Sequence, residues 1–171
     1  VASLQITGAS PTNGAVWIAT NTTGQGKWSL PVGFSACIGA DFIFSNATER
    51  TISWGTEEYD YGNNFNGTIF IAPVNGVYSV STAANFSNVS GGGTSVLIYY
   101  SLRVNNVVKL YGFPIGGSSG NEYVYFSRNI YLTNNSPVSL VVSGAAGSTN
   151  KINTFNNQQS SFCITLIREI P

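Results

Sequence analysis

Histidine and methionine are both absent from the 171 residues of this chain. Without histidine there is no Ser-His or Cys-His dyad, no imidazole base and no histidine metal site. Charge is scarce as well. Asp, Glu, Lys and Arg make up 8% of the residues, against roughly 25% in ordinary soluble domains. The basic residues Lys27, Arg50, Arg103, Lys109, Arg128, Lys151 and Arg168 are scattered and balanced by as many acids. A nucleic-acid partner requires a basic patch, so none is expected. A net charge of zero removes long-range self-repulsion and permits self-association. No apolar run approaches a membrane span and no signal peptide is visible, so membrane insertion is not expected. Cysteine occurs twice, at Cys37 and Cys163, without metal-ligand or redox spacing. The pair could form one bridge closing a long loop or be two buried thiols.

Helical periodicity is missing over any useful length. Short runs of Val, Ile, Thr, Tyr and Phe are present instead, bounded by Gly, Asn, Ser and Pro. Hydrophobic residues are 43% of the chain, enough for a core. The pattern predicts strands near 33–38, 41–45, 50–54, 67–72, 76–85, 94–104, 107–112, 122–133, 137–143, 150–155 and 160–168. That number of short strands with turn signals between them reads as an all-β sandwich or jelly roll. Asn105-Asn106 in "RVNNVVKLY" is a two-residue hairpin turn, because Asn tolerates positive φ. Stretches 112–121 and 143–150 are Gly- and Ser-rich loops, and 91–93 is a glycine tip.

Residues 1–31 differ in character and read as a connector, with 32–171 as the head domain. Gly14, the run Val16 to Ala19, Thr22-Thr23-Gly24 and Trp28 resemble the repeat that ends fibre and stalk segments of bacterial and phage surface proteins. A plain N-terminal strand with a turn is the alternative.

"YDYGNNFNGTIFIAPVNGVYSVS" is the most patterned stretch. Pro73 cannot donate to a ladder, so it ends a strand or lies at an edge. Asn75-Gly76 supplies a turn, and a second strand follows. In that strand Val77, Val80 and Thr82 are set against Tyr78, with apolar residues on both faces. Two apolar faces suit a strand with one side in the core and the other against a second subunit, or one buried within a single chain. Tyr59, Asp60, Gly67, Phe70, Pro73, Gly76 and Tyr78, with one extra residue between Gly67 and Phe70, resemble the central motif of the complement one-q globular heads. That family belongs to the tumour-necrosis-factor-like jelly rolls. "VGFSA", with Phe34, is similar to its first strand, and "SSFCITLI", with Phe162, to its closing strand. Cys163 and Ile164 stand where the family has small residues, and Ser136-Pro137 where it has Gly-Asp. The resemblance covers about four fifths of the chain. It implies a ten-stranded antiparallel jelly-roll sandwich, assembled as a homotrimer about a threefold axis.

The acids offer little chemistry. Glu57 and Glu58 are consecutive and point apart in an extended segment. Glu58 and Asp60 could share a face and are the calcium candidates, as some relatives in the family bind calcium; no other cofactor is expected. There is no P-loop or nucleophile elbow, and no enzymatic activity is expected. Binding is the natural class: Tyr supplies contact area and Asn hydrogen bonds. The candidates are Tyr111 and Phe113, Tyr123 and Tyr125, and Asn153, Asn156 and Asn157 in the last loop. Asn-x-Ser/Thr sequons occur at Asn21, Asn46, Asn66, Asn85, Asn88 and Asn134. In so Asn-, Ser- and Thr-rich a chain, chance accounts for most of them, and a bacterial or phage origin fits better than an animal one.

The expected function is a trimeric binding head at the tip of a surface or tail fibre, recognising a cell-surface glycan or protein. Its place would be extracellular, on a virion or cell surface. The alternatives are a secreted complement-like or cytokine-like ligand and a structural trimerisation cap.

Overall fold

The computed structural model of the chain describes residues 14–19, 25–45, 48–90, 98–112, 122–144, 149–154 and 160–170. Among the described residues there are fourteen strands and no helix. The chain forms two compact units, 1–31 and 32–171. The first holds β1 (Val16–Ala19) paired antiparallel with β2 (Gly26–Ser29). Trp17 faces Trp28 across this ribbon, edge to face, with centroids 5.4 Å apart. Gly26 leaves room for the Trp17 indole, which a Cβ would meet at 2.6 Å. Thr22, Thr23 and Gly24 of the stalk-like pattern lie outside the described residues.

The second unit holds β3 (Gly33–Cys37), β4 (Phe42–Ser45), β5 (Arg50–Thr51), β6 (Thr56–Tyr61), β7 (Ile69–Ile71) and β8 (Gly76–Ser90). It continues with β9 (Tyr99–Val104), β10 (Val107–Gly112), β11 (Glu122–Leu132), β12 (Pro137–Ser143), β13 (Thr149–Ile152) and β14 (Ser161–Glu169). A five-stranded sheet runs β10-β9-β12-β5, with β7 also on β12. A seven-stranded sheet runs β4-β13-β8-β14-β3-β6, with β11 on the other flank of β8. β8 organises it. One flank pairs with β11 from Gly76 to Phe86; the other meets β14 over its first half and β13 over its second. The result is an all-β antiparallel jelly-roll sandwich around one core. Its described residues hold twelve strands where ten are expected. β5, expected over 50–54, is cut to two residues, and the strand that the sequence pattern does not mark is β6, which reads "TEEYDY". Glu and Asp weaken a strand signal, but charge on an edge strand also blocks unwanted pairing.

Aromatic rings join the motif residues in the core. Phe34 stacks on Phe65 at 3.9 Å, meets Phe162 edge to face at 5.0 Å, and lies 5.4 Å from Phe70. Phe70 meets Tyr78, whose hydroxyl donates to the Val74 carbonyl at 2.9 Å. Tyr78, Val80, Thr82 and Ala84 are all buried. Val80 and Thr82 therefore share the inward face of Tyr78, as a two-residue period requires, and only Val77 of the expected trio opposes it.

Pro73 stands where the chain leaves one sheet for the other. β7 belongs to the five-stranded sheet and β8 to the seven-stranded one. Gly76 does not have the positive φ that a glycine turn would use. It is glycine because β14 passes close: a Cβ would meet the Leu166 side chain at 2.6 Å and the Arg168 carbonyl at 2.7 Å. The Asn105-Asn106 hairpin does have positive φ at both positions, 52° and 60°.

Cys37 and Cys163 are free thiols. β3 and β14 are neighbours, but Cys37 pairs with Ser161 and Cys163 with Ser35. The cysteines are thus diagonal, at a spacing of about 7–8 Å, beyond the usual Cα separation of a disulfide, about 4.4–6.8 Å. The bridge is therefore not made.

Candidate functional site

The sandwich has two outward faces, and the alternation of each strand decides what they carry. On the seven-stranded sheet, Ser79, Ser81 and Ala83 of β8 point away from the core. They register with Thr165, Cys163 and Ser161 on β14 and with Asn129, Ser127 and Tyr125 on β11. Ser35 and Cys37 on β3 extend the rows toward β6. The centre of this face is therefore small side chains over four strands. Tyrosines rim it: Tyr123, Tyr125 and Tyr131 on β11, Tyr59 and Tyr61 on β6. Tyr125 is 71% exposed.

The rim on β6 is fixed from beneath. Tyr59 shares a hydrogen bond with Cys163 Sγ at 3.6 Å, and its phenol is pushed up to about 12 by that bond and then by burial. Glu58 accepts from Ser35 Oγ at 2.6 Å and from Cys37 Sγ at 3.4 Å. Those bonds, Ser35 first, hold its carboxyl below the usual range. Burial, and then Glu58, push the Cys37 thiol up to about 11, which leaves it a poor nucleophile. Asp60 is used elsewhere: it accepts the backbone N–H groups of Asn64 and Phe65 at 3.1 and 2.9 Å. The two calcium candidates thus each serve protein donors of their own. Among the described residues no three His, Cys, Asp or Glu side chains gather.

Asn153 is 3% exposed. Its amide donates to Asn85 Oδ1 at 3.4 Å and its Oδ1 accepts from Ser87 Oγ at 3.0 Å. Ser160 Oγ donates to the Asn153 carbonyl and accepts from the Asn85 N–H. This is an internal lock joining the ends of β8 and β13 to the start of β14, and it takes Asn153 away from solvent. It also buries the Asn85 sequon. The Asn66 side chain is likewise engaged, accepting from the Thr68 N–H and hydroxyl and the Ile69 N–H. Phe113, Asn156 and Asn157 lie outside the described residues.

Tyr111 belongs to the other outward face. It registers with Ser101 on β9, and Ser101 with Val141 on β12. These residues line a groove of about 430 Å³ together with Glu49, Tyr99, Val142 and Ser143. Ser101, Val141 and Ser143 form a buried floor, while Tyr99 and Tyr111 rise exposed around it. Glu49 pairs with Arg103 of β9, whose other terminal nitrogen donates to Asn106 Oδ1 at 3.3 Å. The tyrosine candidates are therefore split: Tyr123 and Tyr125 on one face of the sandwich, Tyr111 on the opposite one. Tyr99 and Glu49 are the residues that sequence reasoning missed. The signal was present in "YYSLRV", where alternation from a buried Tyr100 sets Tyr99, Ser101 and Arg103 on one outward face.

No protein-family model matches the chain, and no curated protein matches it. Solved structures do. Eiger TNF from S. frugiperda is similar at 10% identity and TM-score 0.62, over 82% of this chain and 95% of that one. The globular domain of zebrafish complement 1qA protein is similar at 16% identity and TM-score 0.59, over 81% and 99%. Murine APRIL is similar at 11% identity and TM-score 0.56, over 80% and 99%. The head is thus an antiparallel jelly roll, and its fold is that of the complement one-q and tumour-necrosis-factor-like domains.

Proposed function

We propose that the chain is a non-enzymatic binding head that assembles as a homotrimer at the tip of a surface or tail fibre. There it would recognise a cell-surface receptor, outside the cell. The observation that carries the reading is the outward face of the seven-stranded sheet. A flat centre of Ser35, Ser79, Ser81, Ala83 and Cys163 lets another subunit approach closely, and the tyrosine rim supplies contact area. A chain with only 8% charged residues also gives up little hydration when it buries surface in an assembly. Fibre origin is supported by the stalk-like pattern before Pro31 and by the engagement of Asn66 and Asn85, which leaves those two sequons unsuited to glycans. The assembly is tested by light scattering on the purified chain at micromolar concentration; a monomer overturns it.

The likeness to Eiger TNF and to complement 1qA favours a second reading, a secreted ligand of that kind. The gene upstream of residue 1 discriminates. A long repetitive region supports the fibre head, whereas a signal peptide and a Gly-x-y tract support the secreted ligand. A trimer that binds no surface component would instead be a structural cap.

A further inference from the structure

We infer that the groove on the outward face of the five-stranded sheet is a subsite for one neutral pyranose unit of a glycan. The inference rests on the receptor-binding reading above and gives it a place and a ligand chemistry. Ser101, Val141 and Ser143 point outward from their strands, yet only 4%, 6% and 9% of their surface is exposed. Larger side chains beside them, Tyr99 and Tyr111, border an open groove. Its volume of about 430 Å³ falls within the range of small-molecule sites, roughly 300–1,000 Å³.

The lining matches a sugar. A pyranose presents an apolar C–H face and a belt of hydroxyls. Tyr99 and Tyr111 offer rigid apolar rings with polar edges, a surface that packs at low entropic cost. The Ser101 hydroxyl, which donates to the Val141 carbonyl at 3.5 Å, can accept from the floor, the Ser143 hydroxyl lies beside it, and the Glu49 carboxylate accepts at the side. Arg103 holds Glu49 and is itself held by Asn106, so the acceptor is positioned before a ligand arrives. That ion pair is neutral overall. The groove therefore lacks an unbalanced charge to offset the desolvation of a sialic acid, a phosphate or a cation. The groove also lies across the sandwich from the proposed assembly face. Each copy in a trimer would keep its own, and three weak sites would act together.

The test is saturation-transfer NMR of the full chain with methyl glycosides of glucose, galactose, mannose and N-acetylglucosamine, beside an array of neutral and sialylated oligosaccharides. The expected result is binding of a neutral sugar. Tyr111→Ala and Tyr99→Ala should each weaken it about tenfold or more per site, with circular dichroism and assembly mass unchanged. Glu49→Gln, of the same size, should weaken it less. Binding that survives both tyrosine variants overturns the groove and leaves the binding-head reading standing. Exclusive binding of sialylated glycans overturns the neutral-ligand assignment. If no saccharide binds, the groove inference falls, and binding to intact cells then judges the wider reading. Loss on protease treatment but not on glycosidase treatment would assign a protein receptor. No binding to any cell would overturn the receptor reading too.

Discussion

Across the seven-stranded sheet, one outward row runs Ser127, Ser81, Cys163, Ser35, Tyr59. Across the five-stranded sheet, the comparable row runs Tyr111, Ser101, Val141, Thr51. Both rows come from the same alternation over the same core. The first keeps its large side chains at the rims and leaves a flat centre over four strands. The second brings two tyrosines and an ion pair around a short floor and leaves a hollow. Flatness over a wide area suits a large partner, and a hollow with converging polar groups suits a small one. In the proposed reading the two faces divide assembly from recognition, and each can be broken without the other.

The core beneath them is the exception, because it supports both. Phe162 packs against Phe34, Trp54 and Phe65. Phe162→Ala should cost about 3–5 kcal/mol in denaturant unfolding and abolish both activities together. A loss in only one would show that the faces do not share this support.

Ser81→Arg places a charge at the centre of the flat face, where in one copy it remains solvated. We expect assembly to weaken by about 3 kcal/mol, more than a hundredfold, with circular dichroism unchanged. A Ser81→Arg protein that still assembles would move the interface off this face. Between the sheets, the Tyr100 hydroxyl meets Thr82 Oγ1 at 2.5 Å, and Thr82 donates to the Ser161 carbonyl at 2.7 Å. Tyr100 therefore supplies the first proton of a chain that ties β9 to β8 and β14. Tyr100→Phe should cost about 1 kcal/mol by thermal unfolding.

pH sharpens the comparison, because the buried ionisable groups are not evenly placed. Burial raises Tyr100 above its ordinary value, and Cys37 is raised from about 9 to about 11. The unfolded chain ionises these groups first, so it holds fewer protons than the native state at alkaline pH. Their contribution is complete below pH 9 and is lost as pH rises through the folded values. Tm should fall from about pH 9 upward, and Cys37→Ala should delay the fall. A flat Tm to pH 11 would contradict the burial assigned to both. The smallest effect is at the groove. Glu49→Gln should change stability by no more than about 1 kcal/mol, because the pair with Arg103 is exposed on the Glu49 side.

Much of this is legible in the chain itself. The Phe34, Phe70, Tyr78 and Phe162 positions mark the core because apolar periodicity and the central motif agree there. Asn105-Asn106 marks its hairpin because positive φ is a local property of the residue. β6 is hidden because its charges obey the demands of an edge, not of β propensity. Gly76 misleads a local reading because its cause is a strand about 90 residues away, and no local pattern reports such an approach. Asn153 reads as a loop residue because composition distinguishes neither a bonded Asn from a solvated one nor a lock from a ligand site. The split of the tyrosines between faces needs the sheet order, which alternation alone does not supply.

The proposed division of labour between the faces depends first on assembly. Light scattering of the unmodified chain at tens of micromolar measures it most directly. The account predicts a particle of about 54 kDa, three chains of 18.1 kDa each. A particle of 18.1 kDa at that concentration would contradict it.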